Sequence, residues 1–359
     1  MGYSYFPILK TTDAELKAYE YLDDSIKENI LPIFELTRSR KSSKNVDRSI
    51  YKRLDKLEEL SPDRPFILDL TADPQLSNDQ IKDILNSPKG GFPLWVNLIK
   101  HLKSKNLKII PIIHYNPNFI EDVAKEVGEL QKISRKLAFR VDVDDSDLID
   151  YLLNLENIFD LNNLILILDA KFIDCRKVSD NALDIFRAAI DRLVDIFGNK
   201  AFAGILCAFS CFPDSVTKYG SDRYGSFPRL EKTTFFALKQ YYSDMAYIYH
   251  SDYASVHPIR YDTAGGQWIP RIDFFDDDKA YYYRFRREDG GYVSAAKATV
   301  KDNHYVPIEK YNVWADNEIK TAAIGKPNGA NPSHWISCRI NLYISKIITE
   351  LRDEYQMIL

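Results

Sequence analysis

Short apolar segments alternate with longer amphipathic segments along the first 260 residues of the chain. Eight of the apolar segments have the length of a strand, and most are rich in Ile, Leu, Val and Phe. This composition is typical of strands in a sheet that is covered on both faces. The segments predict strands over Tyr5–Lys10, Ile30–Leu36, Pro65–Thr71, Lys108–Tyr115, Leu137–Asp144, Leu164–Lys171, Ala203–Ser210 and Val256–Tyr261.

The amphipathic segments have the periodicity of helices. In one of them, apolar residues at positions 94, 95, 98, 99 and 102 form a single stripe on a helix surface. The same spacing recurs after most of the predicted strands. It predicts helices over Asp13–Leu22, Leu94–Lys105, Phe119–Lys132, Asp147–Phe159, Asn181–Phe197, Thr233–Tyr249 and Ser333–Gln356.

This alternation predicts an α/β fold with a parallel sheet. Eight strand–helix units favour a (β/α)8 TIM-like barrel. The alternative is an open doubly wound sheet, which usually has a glycine-rich turn after its first strand. The first predicted strand is followed by Thr11 and Thr12 and by no glycine, so the sequence favours the barrel.

The pattern changes after Tyr261. Segment 262–332 contains glycine-rich loops and two alternating segments, Trp268–Phe275 and Ala280–Arg287, which predict antiparallel strands. We expect one barrel domain over residues 1–359, with segments 211–232 and 262–332 inserted after strands seven and eight as a lid at its C-terminal face. The alternating tyrosines and arginines of 280–287 fit base stacking and phosphate binding, but an ordinary amphipathic strand is the favoured interpretation.

Composition narrows the classes of protein to consider. The 359 residues include 48 basic and 52 acidic ones and carry a net charge of −4, so any nucleic-acid site must be local. No apolar run approaches the ~18 residues of a membrane span, and the first residues lack the charge and hydrophobicity pattern of a signal peptide. Four cysteines are too few for a disulfide scaffold. We therefore expect a cytoplasmic protein with no membrane partner.

Polar and charged side chains follow the apolar segments at the predicted strand ends. In a (β/α)8 barrel these ends surround the active site. In the fifth strand Arg140 and Asp142 alternate with apolar residues, so the charged parity faces the barrel interior if the apolar parity faces the helices. Because buried charges are costly unless they are paired, we expect this ring of charges to be internally neutralised.

The ring contains candidates for substrate binding and for catalysis. Its cations and one tyrosine are candidates for binding an anionic substrate: Lys10, Arg140, Lys171, Arg260 and Tyr261. Its carboxylates and histidine are candidates for general acid or base catalysis: Glu35, Asp69, His114, Asp142 and Asp169. Converging carboxylates also suit a divalent cation such as Mg²⁺. The neighbouring cations argue against a bare carboxylate cage, and the sequence assigns no metal ligands.

Several segments resemble the bacteriophage-type beta-protein family. The opening YFPILKTTDAELKAYEYL and the later ILPIFELT are similar to the start of that family, and the segments SDY, IRYD, WADNEI and GANPSHW are similar to its C-terminal part. The resemblance spans almost the whole chain. It implies a one-domain barrel in a phage–host setting and assigns no catalytic residue. The positions that these motifs carry over are Lys10, Glu35, Asp252, Tyr253, Arg260, Tyr261, Trp314 and Trp335.

These observations lead to two hypotheses about function. The first is an enzyme of phage–host conflict that hydrolyses a phosphorylated substrate, a nucleotide or a nucleic-acid end, at the barrel mouth. The second is a non-catalytic module that binds a ligand or a protein partner in phage defence or counter-defence. The sequence contains no HExxH, GxSxG or paired CxxC motif that would assign a reaction.

Overall fold

Eight parallel strands curl into a nearly closed barrel in the computed structural model, which describes residues 2–43, 45–177, 181–199, 201–245, 247–260 and 268–358. The strands are β1 (Tyr5–Lys10), β2 (Ile33–Leu36), β3 (Phe66–Leu70), β4 (Ile109–Pro111), β5 (Leu137–Asp142), β6 (Leu164–Phe172), β7 (Gly204–Ser210), β8 (Tyr224–Pro228), β9 (Ile248–Asp252), β10 (Arg271–Phe275) and β11 (Lys279–Arg284). The barrel sheet has the order β4-β3-β2-β1-β9-β7-β6-β5. This confirms the predicted α/β TIM-like barrel.

One narrow seam joins the two ends of this sheet. A single bridge pairs Ile112, just after β4, with Ala138 of β5. Next to it the Ile113 N–H donates to the Ala138 carbonyl over 2.8 Å. The barrel is therefore closed by far fewer hydrogen bonds at this seam than between its other neighbouring strands.

Most of the helices cover the outer face of the barrel, whereas α10 (Gly291–Thr299) and α11 (Trp314–Ala323) pack against the antiparallel strands and the last helix. The helices are α1 (Asp13–Glu20), α2 (Asp24–Lys27), α3 (Tyr51–Leu60), α4 (Asp79–Leu85), α5 (Pro93–Ser104), α6 (Ile120–Leu130), α7 (Leu148–Glu156), α8 (Asn181–Phe197), α9 (Leu230–Tyr241), α10 (Gly291–Thr299), α11 (Trp314–Ala323) and α12 (Pro332–Ile358). The sequence pattern did not predict α2, α3, α4, α10 or α11. No helix in the described ranges is long and apolar enough to cross a lipid bilayer.

Most barrel strands are buried on both faces, which explains their nearly uniform hydrophobicity. Inward-facing side chains such as Ile33 and Ile167 form a small core inside the barrel. Outward-facing side chains such as Leu9 and Phe34 join the larger core beneath the helices. The strand parity therefore decides which residues reach the barrel interior, as the sequence predicted for Arg140.

The eighth barrel strand lies before the predicted one. The prediction over Val256–Tyr261 was wrong, because β9 is the strand that pairs with β1 and β7, residues 256–260 form no strand, and Tyr261 lies outside the described residues. The helix predicted over Thr233–Tyr249 accordingly ends at Tyr241.

The polar side chains of β9 are stabilised in the core by hydrogen bonds, so the hydrophobic pattern of the sequence did not predict this strand. Its sequence is IYHSD. The Ser251 hydroxyl donates to the Phe6 carbonyl over 2.7 Å, and the Tyr343 hydroxyl donates to the Asp252 carboxylate over 2.8 Å. Polar side chains with such partners are stable in a core, although their sequence lacks the apolar pattern of a buried strand.

A separate antiparallel sheet of β10, β11 and β8, in that order, combines parts of both predicted insertions. Phe274 of β10 stacks on Tyr281 of β11 with 5.2 Å between ring centroids. Tyr282 is buried, and its hydroxyl donates to the Ser221 carbonyl over 2.7 Å. These contacts are those of an amphipathic strand, and base stacking by 280–287 stays a prediction. The lid role of the insertions also stays a prediction, and residues 262–267 lie outside the described ranges.

A buried polar cluster lies where β9, α9 and α12 meet. Arg229 pairs with Glu350 of α12 over 2.9 Å. Glu231 of α9 accepts the Cys211 N–H over 2.5 Å, and burial, reinforced by the nearby Asp252 charge, raises the pKa of Glu231 to about 7. Because Glu231 binds a proton more tightly in the folded state than in the unfolded chain, its ionisation opposes folding.

We predict that Ile167→Ala lowers the free energy of unfolding by about 2–5 kcal/mol, because it leaves a cavity inside the barrel. Urea denaturation measures this loss. The matched control is Leu153→Ala, since Leu153 is 40% exposed, and its effect should stay within about 0.5 kcal/mol. Equal effects of the two substitutions would contradict the buried position of Ile167.

We also predict a pH-dependent gain in stability for Glu231→Gln. The stability that the protonated Glu231 provides is present below the ordinary pKa of 4.5 and is lost as the pH rises through about 7. The variant should therefore be more stable than the wild type at pH 8, by on the order of 2 kcal/mol, and the difference should vanish near pH 4. Thermal unfolding across this pH range tests it, with the exposed Glu156→Gln as a control that should show no such trend.

Candidate functional site

A cavity of about 630 Å³ opens at the carboxyl ends of the barrel strands, which is where barrels of this kind carry their active sites. One side of the cavity is charged and is formed by Glu35, Asp69, Arg140 and Asp169. The other side is aromatic and is lined by Phe92, Tyr115, Phe139 and Tyr151. No described residue of 211–232 or 268–332 lines the cavity.

Arg140 of β5 holds three carboxylates from three other strands. Its Nη1 lies 2.7 Å from Asp69 Oδ2 and 3.1 Å from Glu35 Oε2. Its Nε and Nη2 lie 3.0 and 2.8 Å from Asp169 Oδ2. The structure thus brings together four of the predicted site residues, all on the interior parity of their strands.

Further hydrogen bonds fix the orientation of this cluster. The Tyr253 hydroxyl donates to Asp169 Oδ2 over 2.6 Å and accepts from Arg140 Nη2 over 2.7 Å. The Thr71 hydroxyl donates to Glu35 Oε1 over 2.6 Å. The Lys171 N–H donates to Asp169 Oδ1 over 2.8 Å, at a β-bulge where Lys171 has a φ of 54°. Because every carboxylate has at least two partners, the cluster is preorganised.

Two carboxylates on the same guanidinium nitrogen differ in proton affinity. Burial alone would raise the pKa of Glu35, but the charges of Lys10 and Arg140 outweigh it and hold that pKa below its ordinary value. Burial raises the pKa of Asp69 above its ordinary value in spite of the Arg140 charge. Such opposed shifts separate a group that stays ionised from one that keeps its proton to higher pH.

His114 lines the same cavity and has a carboxylate behind it. Its Nδ1 lies 3.0 Å from Glu126 Oε1, and its backbone N–H donates to Glu126 Oε2 over 3.1 Å. The ring packs against Trp95 and Phe92 at centroid distances of 4.9 and 5.2 Å. Its Nε2 is buried and finds no hydrogen-bond partner among the described residues. A proton on Nδ1 would leave the Nε2 lone pair free for a ligand.

Glu126 is a residue that the sequence reasoning missed. It is fully buried on α6 together with Val123, Val127 and Leu130. Burial raises the pKa of Glu126, and its bonds to His114 oppose that shift. A glutamate on the apolar stripe of a predicted helix was the available signal, since such a position is rarely occupied by a charge without a partner.

The side chains of three other predicted residues make no hydrogen bond to the Arg140 cluster. Asp142 and Lys171 form a pair at the cavity rim, 2.7 Å apart and half exposed. Lys10 is buried and donates to the Pro258 carbonyl, so its ammonium group supports the loop after β9. These three roles in binding or catalysis stay predictions.

Arg260 does not join the cavity lining. Its side chain is exposed, and its backbone N–H donates to Asp73 Oδ2 over 3.0 Å. Its proposed contact with substrate rested on the incorrect placement of strand eight, which put residue 260 at a strand end. Tyr261 lies outside the described residues.

The carboxylate cluster does not have the arrangement of a metal site. The described ranges contain no group of three or more His, Cys, Asp or Glu side chains placed to hold a metal ion. The Arg140 guanidinium lies between the three carboxylates, where a cation held by all three would have to sit. These residues therefore do not fit a resident Mg²⁺ ion.

Comparison with known proteins confirms the resemblance seen in the sequence. The profile of the Beta protein family matches residues 5–349. Protein beta of Enterobacteria phage P4 is 29% identical over 363 residues, which cover 99% of this chain and 95% of that protein. Among solved structures, the chain is similar to a GH5-4 broad specificity endoglucanase from an uncultured bacterium, with 14% identity, a TM-score of 0.41 and coverage of 67% of this chain and 77% of that chain. A likeness at that TM-score carries no argument about chemistry.

We predict that Arg140→Met destabilises the fold at pH 7 by about 3–5 kcal/mol, because it leaves three buried carboxylates without their shared cation. Chemical denaturation measures the change. Lys171→Met is the matched control and should cost less than about 1 kcal/mol, since its ion pair is half exposed. A loss for Arg140→Met as small as that for Lys171→Met would mean that the guanidinium does not neutralise the cluster.

Proposed function

The chain belongs to the Beta protein family, and from that premise we propose that its barrel mouth hydrolyses a phosphorylated substrate, a nucleotide or a nucleic-acid end. The observation that carries the proposal is the unpartnered Nε2 of His114. A buried histidine nitrogen without a partner is costly, unless a ligand or a water supplies one. Glu126 on the other ring nitrogen gives His114 the arrangement of a general base with an orienting carboxylate.

The carboxylates beside His114 support hydrolysis. Glu35 and Asp69 line the cavity on one guanidinium nitrogen and have opposed pKa shifts. His114 is close enough to Asp69 for its charge to lower the Asp69 pKa. The cavity therefore combines a candidate base with two carboxyl groups of different proton affinity, a set that suits the activation of a water and the protonation of a leaving group.

The rim of the cavity is suited to binding a phosphate group of the substrate. The Lys171 ammonium is half exposed, and its pair with Asp142 is a surface ion pair of the kind that contributes little. An incoming phosphate can therefore take over this cation at small cost. The position lies at the solvent edge of the cavity, so that the phosphate remains partly hydrated.

The aromatic side of the cavity is suited to binding a planar ring such as a nucleobase. The Tyr115 and Tyr151 rings lie 4.2 Å apart, and Phe139 lies next to both. The Asn154 amide donates to the Tyr115 hydroxyl over 3.1 Å, which holds that ring in place. Aromatic side chains of this kind stack on nucleobases, by about 1–3 kcal/mol per base.

The second candidate is a binding module without turnover. It is favoured by one observation, that all three carboxylates of the cluster are already bound to Arg140. In this case the cavity would bind a ligand, or its rim a protein partner, in phage defence or counter-defence. The relationship to a phage protein supports that biological setting for either candidate.

We predict that the purified full-length chain turns over at least one member of a nucleotide panel, and that His114→Gln lowers kcat by about 100-fold or more, since it removes the base. Product formation is followed by liquid chromatography with mass spectrometry. The matched control is His101→Gln, because His101 is exposed on α5, and its rate should equal that of the wild type.

Small molecules that copurify with the chain provide a second readout. Tight retention of a nucleotide without any product would favour the binding module. If His114→Gln and His101→Gln have equal rates, His114 is not the base.

A further inference from the structure

The cavity has the wrong charge for stabilising a phosphoryl-transfer transition state. Among the described residues that line it, six carboxylates face two cations, Arg140 and Lys171. Both cations already have carboxylate partners. If the buried Lys10 beside Glu35 is counted as a third cation, the summed charge of these side chains is still negative. Phosphoryl transfer places negative charge on the phosphoryl oxygens and is served by cations, whereas this cavity favours a transition state that gains positive charge.

Cleavage of a glycosidic bond has such a transition state. The sugar becomes an oxocarbenium-like cation as the leaving group departs, and enzymes stabilise it with two carboxyl groups. We infer that the bond broken in this cavity is the N-glycosidic bond of a nucleoside phosphate, with the phosphate left intact at the rim. The inference rests on the proposed function and names the reacting bond of its substrate.

The positions of Glu35 and Asp69 fit this reaction. Both bind the same Arg140 nitrogen, at 3.1 and 2.7 Å. The two carboxyl groups therefore meet at one place on the cavity lining, where both can act on the same sugar. Both are buried at the floor of the cavity, where a low dielectric strengthens their effect on a developing charge.

Each residue then has a defined part in the step. The bond between C1′ and the base nitrogen breaks, and its electron pair leaves with the base. Asp69, which has the greater proton affinity of the two carboxyl groups, gives a proton to that base, and Glu35 stabilises the positive charge at C1′. A water forms the new C1′–O bond and loses a proton to His114 Nε2. Asp69 regains a proton and His114 releases one to solvent, so one water is consumed for each free base and each sugar phosphate formed.

The two halves of the cavity fit the two halves of such a substrate. The aromatic side holds the base between loops after β4 and β5, and the exposed Lys171 holds the phosphate. The sugar between them lies over Arg140, where the carboxylates converge. In this arrangement Arg140 at the floor only orients the carboxylates, whereas the half-exposed Lys171 at the rim can bind the phosphate.

The test is product analysis with the full chain and four nucleoside 5′-monophosphates. Free base is measured by liquid chromatography, and inorganic phosphate by a colorimetric assay. We expect free base and sugar phosphate in equal amounts, no inorganic phosphate, and, in ¹⁸O-labelled water, the label at C1′ of the sugar. Glu35→Gln should lower base release by about 100-fold or more, whereas the exposed Glu156→Gln should leave it unchanged.

The outcomes separate this inference from the proposed function. Inorganic phosphate without free base overturns the inference and leaves the proposed hydrolysis of a phosphorylated substrate standing. No product from any nucleotide overturns both.

A binding measurement keeps the inference testable if Glu35→Gln is unstable. Wild-type protein should bind a protonated imino-ribitol, which mimics the oxocarbenium charge, at least about tenfold more tightly than its uncharged carbocyclic analogue. Equal affinity for the two compounds overturns the inference.

Discussion

A largely buried guanidinium inside a barrel must be neutralised, and the rest of this site is arranged around that constraint. Arg140 lies at the inner end of β5, and a charge in that position costs several kcal/mol unless it is fully paired. Carboxylates from β2, β3 and β6 meet it, and Tyr253 bridges it to Asp169. One cation thereby fixes the upper ends of four strands relative to one another. This geometry gives the cavity its rigid floor.

Much of this arrangement could be predicted from the sequence, because strand parity and apolar content are local properties. The bounds of β1 agree with the predicted Tyr5–Lys10, and Arg140 and Asp169 lie on the interior parity as expected. The remaining features depend on contacts between distant residues. β9 is buried through hydrogen bonds that no local pattern records, and Arg260 was misplaced along with it. Glu126 is recognisable only as a charge on an apolar helix face, and its partner His114 is on another element.

The cavity combines two environments that have different origins. Its charged floor comes from strand ends, whose positions are set by the barrel sheet and vary little in geometry. Its aromatic wall combines Phe139 of β5 with residues of the loops and with Tyr151 of α7. The candidate catalytic carboxylates therefore lie at strand ends, whereas most of the aromatic residues lie on segments that tolerate more sequence change. The antiparallel sheet packs elsewhere, against α12 through Asp273 and Arg339, so the described floor and wall are complete without it.

The seam between β4 and β5 has a consequence for how the barrel responds to an occupant. One bridge and its neighbouring hydrogen bond join Ile112 and Ile113 to Ala138. His114 follows the β4 side of this seam and Arg140 the β5 side, and both residues line the cavity. A ligand that contacts both side chains would bridge the most weakly paired strands of the barrel. Ligand binding and the stability of the barrel are then coupled. The ligand-free protein would open first along the seam between β4 and β5.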